Sequence, residues 1–320
     1  MKRVFFLIPF VAAIYLISCK KEDATPQGNN PVNTVSYSTA QDYLDAKNVP
    51  LQTFTINAST GGTFTGAKGT QVTIAPGTFV NYDGSPVTGN VQMKLKEVFS
   101  PRDMIFSGVY PVSYGNILKS GGEFYLQASQ NGVPVDVMFG EMVMVDLPAQ
   151  DVDPNMLLFF GAGGEDPDSL NWDVIENNQE DSLWNNGFTF NVADGAYEIT
   201  LDSLGWANID AFDWTITYFP IEFTLTGVDG LNNSNTSAWA IFEDFNGVWP
   251  TGVPSWGSIE NNVIHETHLG AVPMTLVVVS VVNNQLYYGY LNFTPVNGTN
   301  YTINMEVTTE AALDAFLGGL

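Results

Sequence analysis

The chain predicts an all-β protein: two β-sandwich modules in tandem behind a signal peptide and a flexible tether. Three observations predict the sandwiches. From Leu51 onward the apolar pattern has period two, Phe54, Ile56 and Ala58 alternating with Thr53, Thr55 and Asn57. Turn-forming pairs recur along the chain, among them Gly61-Gly62, Pro76-Gly77, Asp83-Gly84, Gly121-Gly122, Asn131-Gly132, Asp194-Gly195, Asp229-Gly230 and Asn297-Gly298. Between the turns lie runs rich in β-branched and aromatic residues, such as VQMKLKEV, EFYLQAS, MVMVDL, WTITYF, IEFTLTG, AWAIF and TLVVVSVV. Only YLDAK near the start and EAALDAFLGGL at the end read as helical.

The elements follow in order. Lys2 and Arg3 precede an apolar stretch from Val4 to Ile17, which suits the core of a signal peptide and is short for a bilayer span. Leu16-Ile17-Ser18-Cys19 then resembles the lipobox of bacterial lipoproteins. The resemblance implies a signal peptide over residues 1–18, cleavage before Cys19, and lipidation of Cys19 through a diacylglycerol thioether and an acylated amino terminus. Several acyl chains anchor far more firmly than one. Cys19 is the only cysteine, so an intramolecular disulfide is excluded. Lys20-Lys21-Glu22-Asp23 resembles the export signal of Bacteroidota surface lipoproteins, which implies the outer face of the outer membrane.

Residues 19–48 read as a lipidated tether and a short helix. KKEDATPQGNNPVNTVS has no apolar pattern, and Ser38-Thr39-Ala40-Gln41 has capping-box form. Residues 49–212 read as the first sandwich, with an acidic loop region. Gly61-Gly62-Thr63-Phe64, the stretch from Val72 to Phe79 and Gly89-Asn90-Val91-Gln92-Met93 resemble the ZU-type β-sandwich. Ala75 is inserted and Thr78 replaces an alanine relative to that pattern, and the resemblance implies a non-catalytic interaction module. The segment from Ser203 to Asp210 is similar to a leucine-glycine-tryptophan-x-asparagine step of Bacteroidota surface proteins that joins one β module to the next. Residues 213–320 read as a second sandwich, immunoglobulin-like or transthyretin-like, with a C-terminal helix.

Charge narrows the function. The net charge is −24, and the 201 residues after Lys119 hold no lysine or arginine but carry 27 of the 34 carboxylates. Such a surface repels nucleic acid. No cofactor motif is present, and calcium is the one ion the composition suggests. Asp151-Val152-Asp153-Pro154-Asn155 begins like a calcium loop, but Met156 and Ala162 stand where glycine and a bidentate glutamate belong. A looser metal site would draw on Glu165, Asp166, Asp168 and Asp173. His265-Glu266-Thr267-His268 holds both histidines; their spacing is not the zinc-protease spacing, and on a strand they would face opposite sides. Trp172, Trp184, Trp249 and Trp256 lie in loop-like sequence and are candidate stacking platforms for a ligand. No Gly-x-Ser-x-Gly elbow occurs. The sequence thus points to a non-enzymatic surface lipoprotein, held to the membrane by its lipid and binding a protein or glycan partner. The alternative is a carboxylate- or metal-dependent hydrolase of extracellular polymers.

Overall fold

The computed structural model describes residues 36–149, 152–162, 170–174, 188–191, 195–213, 216–252 and 257–320. The signal peptide, Cys19, Trp184, Trp256, Asp166 and Asp168 lie outside the described residues.

The architecture is all-β, as the period-two pattern requires. One sheet runs in the order β1 (Gln52–Asn57), β5 (Asn90–Val98), β7 (Asn116–Gln130), β15 (Gly205–Phe212), β11 (Leu157–Ala162) and β12 (Asn171–Val174). The short strands β6 (Val112–Ser113) and β8 (Val133–Pro134) pair with β7. A second sheet runs β13 (Phe188–Asn191), β14 (Ala196–Leu201), β10 (Val143–Pro148), β3 (Gln71–Ile74) and β2 (Gly62–Thr65). A two-stranded ribbon joins β4 (Phe79–Val80) to β9 (Asp136–Val137). The later residues form a third sheet, β19 (Ser258–Glu260), β20 (Val263–Gly270), β16 (Tyr218–Thr226) and β23 (Asn300–Asn304), in which β16 and β23 are parallel. The fourth contains β18 (Val248–Trp249), β17 (Thr236–Phe242), β21 (Met274–Val282), β22 (Gln285–Phe293) and β24 (Glu306–Val307).

Three apolar cores hold these sheets. Val91, Met93 and Leu95 of β5 meet Val145 and Leu147 of β10 between the first two sheets. Phe223 and Leu225 of β16 meet Leu276 and Val278 of β21 between the last two. The remaining core lies between the first and fourth sheets and takes Trp206 of β15 and Val277 and Val279 of β21. Residues 33–320 accordingly form one compact unit. The middle strands of the fourth sheet are therefore buried on both faces. Every residue of β17 is buried, and so are all of β21 except Val282, which is why TLVVVSVV, apolar but for Thr275 and Ser280, does not alternate. Each fully buried valine there contributes about 1.5–3 kcal/mol.

Three helices fill the middle core: α1 (Ala40–Ala46), α2 (Pro101–Ser107) and α3 (Glu310–Leu317). The capping box of α1 forms between Thr39 and Asp42. The structure adds α2, which the sequence pattern did not show. Ser100 caps it reciprocally with Asp103, Pro101 opens the first turn and Gly108 closes it in the left-handed conformation. Gly121-Gly122 is not a turn but lies within β7, where the register with β15 shifts between Ile209 and Asp210. The bulge needs glycine, because a Cβ at Gly121 would sit 2.9 Å from the Ile209 carbonyl oxygen.

Candidate functional site

A cleft of about 970 Å³ opens between the two halves. The turn between β2 and β3 supplies Lys68, and β7 supplies Lys119, Ser120 and Gly121. The end of β10 supplies Pro148, the segment joining it to β11 supplies Val152, Asp153 and Met156, and β14 supplies Tyr197. Asp244 and Asn246 enter from the turn between β17 and β18. Asn246 fastens that turn to the floor: its carbonyl accepts from Ser120 N at 2.8 Å, and its Nδ2 donates to the Phe99 and Ser120 carbonyls at 3.2 Å each.

Both lysines that reach this cleft are already engaged, while Asp244 stands at its edge as an exposed carboxylate. Lys119 pairs with Asp153 at 3.1 Å, and Asp153 also accepts from Asn155 N and Nδ2 at 2.9 Å each. Backbone and side-chain donors, Asn155 and Lys119 foremost, hold the Asp153 carboxyl below its ordinary range. Lys68 pairs with Asp103. Burial raises the Asp103 carboxyl, but Lys68 and the Phe99 and Ser100 groups outweigh it and the net direction is down. The cleft thus presents rings, prolines, two paired lysines and the Asp244 carboxylate, a surface suited to binding.

Behind the floor lie carboxylates in two contrasting states. Glu97 is fully buried and accepts from Gln52 Nε2 at 2.7 Å, Lys68 N at 3.0 Å and Thr70 N at 3.1 Å. Glu123 is equally buried, yet neither of its carboxylate oxygens has a partner. Asp210, two residues beyond the Asn208 that pairs with Glu123 across the strands, is buried too and has an unpartnered Oδ1. Burial pushes both carboxyls well above their ordinary range.

The sequence candidates fall elsewhere. Trp172 and Trp249 are buried, so neither offers an exposed stacking face. Trp172 Nε1 donates to the Tyr110 carbonyl at 2.8 Å and Trp249 Nε1 to Glu266 Oε2 at 3.0 Å; these bonds let the indoles enter the cores. Asp173 is taken by the Tyr114 hydroxyl. His265 and His268 sit on β20 and are both about half exposed rather than one in and one out. A bulge explains this. Phe219 pairs with Leu269 and Ile221 with Glu266, two steps on β16 against three on β20. The histidines engage different groups: His265 Nδ1 lies 3.1 Å from Glu222, while His268 Nδ1 lies 2.7 Å from Thr267 Oγ1 and its ring stacks on Trp249. Among the described residues no three His, Asp or Glu side chains converge as a metal-ligand set.

Sequence reasoning missed the cleft, whose walls come from six separated segments. The one local signal was the glycine pair at 121–122, of which Gly121 lies in its floor. Comparisons with protein-family models, with curated proteins and with solved structures found no match. Fold and site together define an all-β double sandwich with a ligand-sized cleft between its halves.

Proposed function

We propose that the chain is a non-enzymatic, lipid-anchored binding protein of the outer-membrane surface, and that the cleft receives a protein or glycan partner. The observation that carries the reading is a cleft of about 970 Å³, lined by Phe99, Tyr197 and prolines, whose two lysines are already paired with aspartates. Rings and paired lysines favour stacking and shape complementarity. The lipobox resemblance at Leu16 to Cys19 and the polar tether after it support display of the body away from the bilayer.

The anchor is tested by metabolic labelling with palmitate. Wild type is expected to take label and partition with membranes, and Cys19→Ala to lose both; unlabelled wild type in the soluble fraction would overturn the anchor. The binding role is tested by a photo-crosslinking residue in place of cleft-lining Pro154, compared with one in place of Thr63 on β2. A discrete adduct on intact cells from position 154 alone is expected. Turnover of polysaccharide or peptide pools by the full chain would instead favour a hydrolase.

A further inference from the structure

A carboxylate buried without a donor is costly, and the cost is normally removed by a proton, a hydrogen bond or a counter-ion. Glu97 uses hydrogen bonds. Glu123 has none, and Asp210 Oδ1 and Asn246 Oδ1 are likewise buried and unpartnered. These atoms belong to one locus. Glu123 is opposite Asn208 in the pairing of β7 with β15. Asn208 Nδ2 donates to Asp210 Oδ2 at 2.5 Å, and Asn208 Oδ1 lies 3.5 Å from Ser120 Oγ. Asn246 grips Ser120 from the other half of the molecule. Oxygen acceptors therefore gather from both halves; Asp210 takes donors from Asn208, Ser120 and the Gly121 backbone, but its Oδ1, both Glu123 oxygens and Asn246 Oδ1 are left without one.

Charge points the same way. The third carboxylate nearby, Asp103, is paired with Lys68, whereas burial drives the Glu123 and Asp210 carboxyls toward their neutral forms, and a divalent cation would remove that cost by displacing their protons and balancing both charges. We propose that Glu123 and Asp210, completed by side-chain oxygens of Asn246, Asn208 and Ser120, bind one calcium ion under the floor of the cleft. Calcium accepts about six to eight oxygens in loose geometry, whereas magnesium demands a near-ideal octahedron and keeps its waters. A set of oxygens without imidazole or thiolate does not favour a transition metal. Ser120 and Asn246 also line the cleft, so the ion loads from that side and ties the halves together beneath the ligand. The site does not include Asp173, which lies on β12 and is taken by the Tyr114 hydroxyl. It does not depend on what the cleft binds.

The test uses the full chain in detergent, stripped with chelator, equilibrated with calcium chloride and desalted before elemental analysis. One retained calcium per chain and a calcium-dependent rise in the unfolding midpoint are expected. Glu123→Gln and Asp210→Asn are each expected to weaken retention about tenfold or more, and Asp173→Asn to leave it unchanged. No retained calcium in wild type, or retention undiminished in Glu123→Gln and Asp210→Asn, would overturn the proposal. So would a Glu123→Gln midpoint that rises regardless of calcium, which is the behaviour of a protonated carboxyl pair. If both variants fail to fold, terbium replaces calcium. Trp206 lies on the same face of β15 as Asn208 and Asp210, so tryptophan-sensitised emission should drop in Trp206→Phe; unchanged emission would sink the assignment.

Discussion

At the scale of residues, single groups decide what a local sequence cannot. Gly61 has φ +68°, and a Cβ there would lie 2.3 Å from the Ile74 carbonyl oxygen. Gly77, in the corner after Pro76, has φ +80° and open space around it. Both fit the turn chemistry read from the sequence, but only the structure separates them. Gly61→Ala is expected to cost about 3 kcal/mol or more and Gly77→Ala about 1 kcal/mol, read as urea midpoints. Equal losses would contradict the steric argument. The tryptophans teach a related lesson. Trp249 follows Val248 and precedes a Pro/Gly-rich stretch, and nothing local reveals that Glu266 waits to accept its N–H. Glu266 also receives Thr267 N at 2.6 Å and His268 N at 2.7 Å. Trp249→Phe keeps most of the ring but removes one of these donors, and a loss of about 1–3 kcal/mol is expected from thermal unfolding.

At the scale of elements, strands were legible because alternation and turn residues are local signals, and helices only in part. The pattern S-P-R-D at residues 100–103 encodes the cap of α2, but seven residues between strands give too little periodicity to stand out. The last helix was legible, though its partner was not. Tyr43 Oη donates to Asp314 at 2.9 Å, Lys47 donates to the same carboxylate at 2.9 Å, and Lys47 lies 3.3 Å from Glu310. The two ends of the described body are thereby clasped. Burial raises the Asp314 carboxyl, but Lys47 and Tyr43 outweigh it and the net direction is down. A carboxyl depressed on folding stabilises the protein above its unfolded value of 3.8, and that stabilisation is lost as pH falls through the lower folded value. Asp314→Asn should therefore be less stable than wild type by about 1 kcal/mol at neutral pH, with the gap closing below about pH 4. A gap that persists into strong acid would assign the loss to packing.

For the whole molecule, the stack of cores was the part least available from sequence. Val277 and Val279 read as strand, and alternation assigns one face of β21 to a core; only the assembled fold shows that the other face is covered as well. The cleft is equally non-local, since Lys68, Tyr197 and Asn246 come together only when the halves meet. Charge acts at this scale too. With a net charge of −24, self-repulsion opposes the compact state, and raising sodium chloride from low to about 0.15 M should raise the unfolding midpoint as the Debye length falls to about 8 Å. A midpoint lowered by salt would mean that attractive ion pairs dominate instead.

The central claim is that a shared core makes the two halves one rigid body, so that the cleft between them is a fixed site. Urea unfolding of the full chain, followed at once by far-ultraviolet circular dichroism and by tryptophan fluorescence, tests it most directly. Trp206 reports from the earlier strands and Trp239 from the later ones, both from within the middle core. Coincident single transitions are expected; two separated transitions would show that the halves unfold independently and would contradict the account.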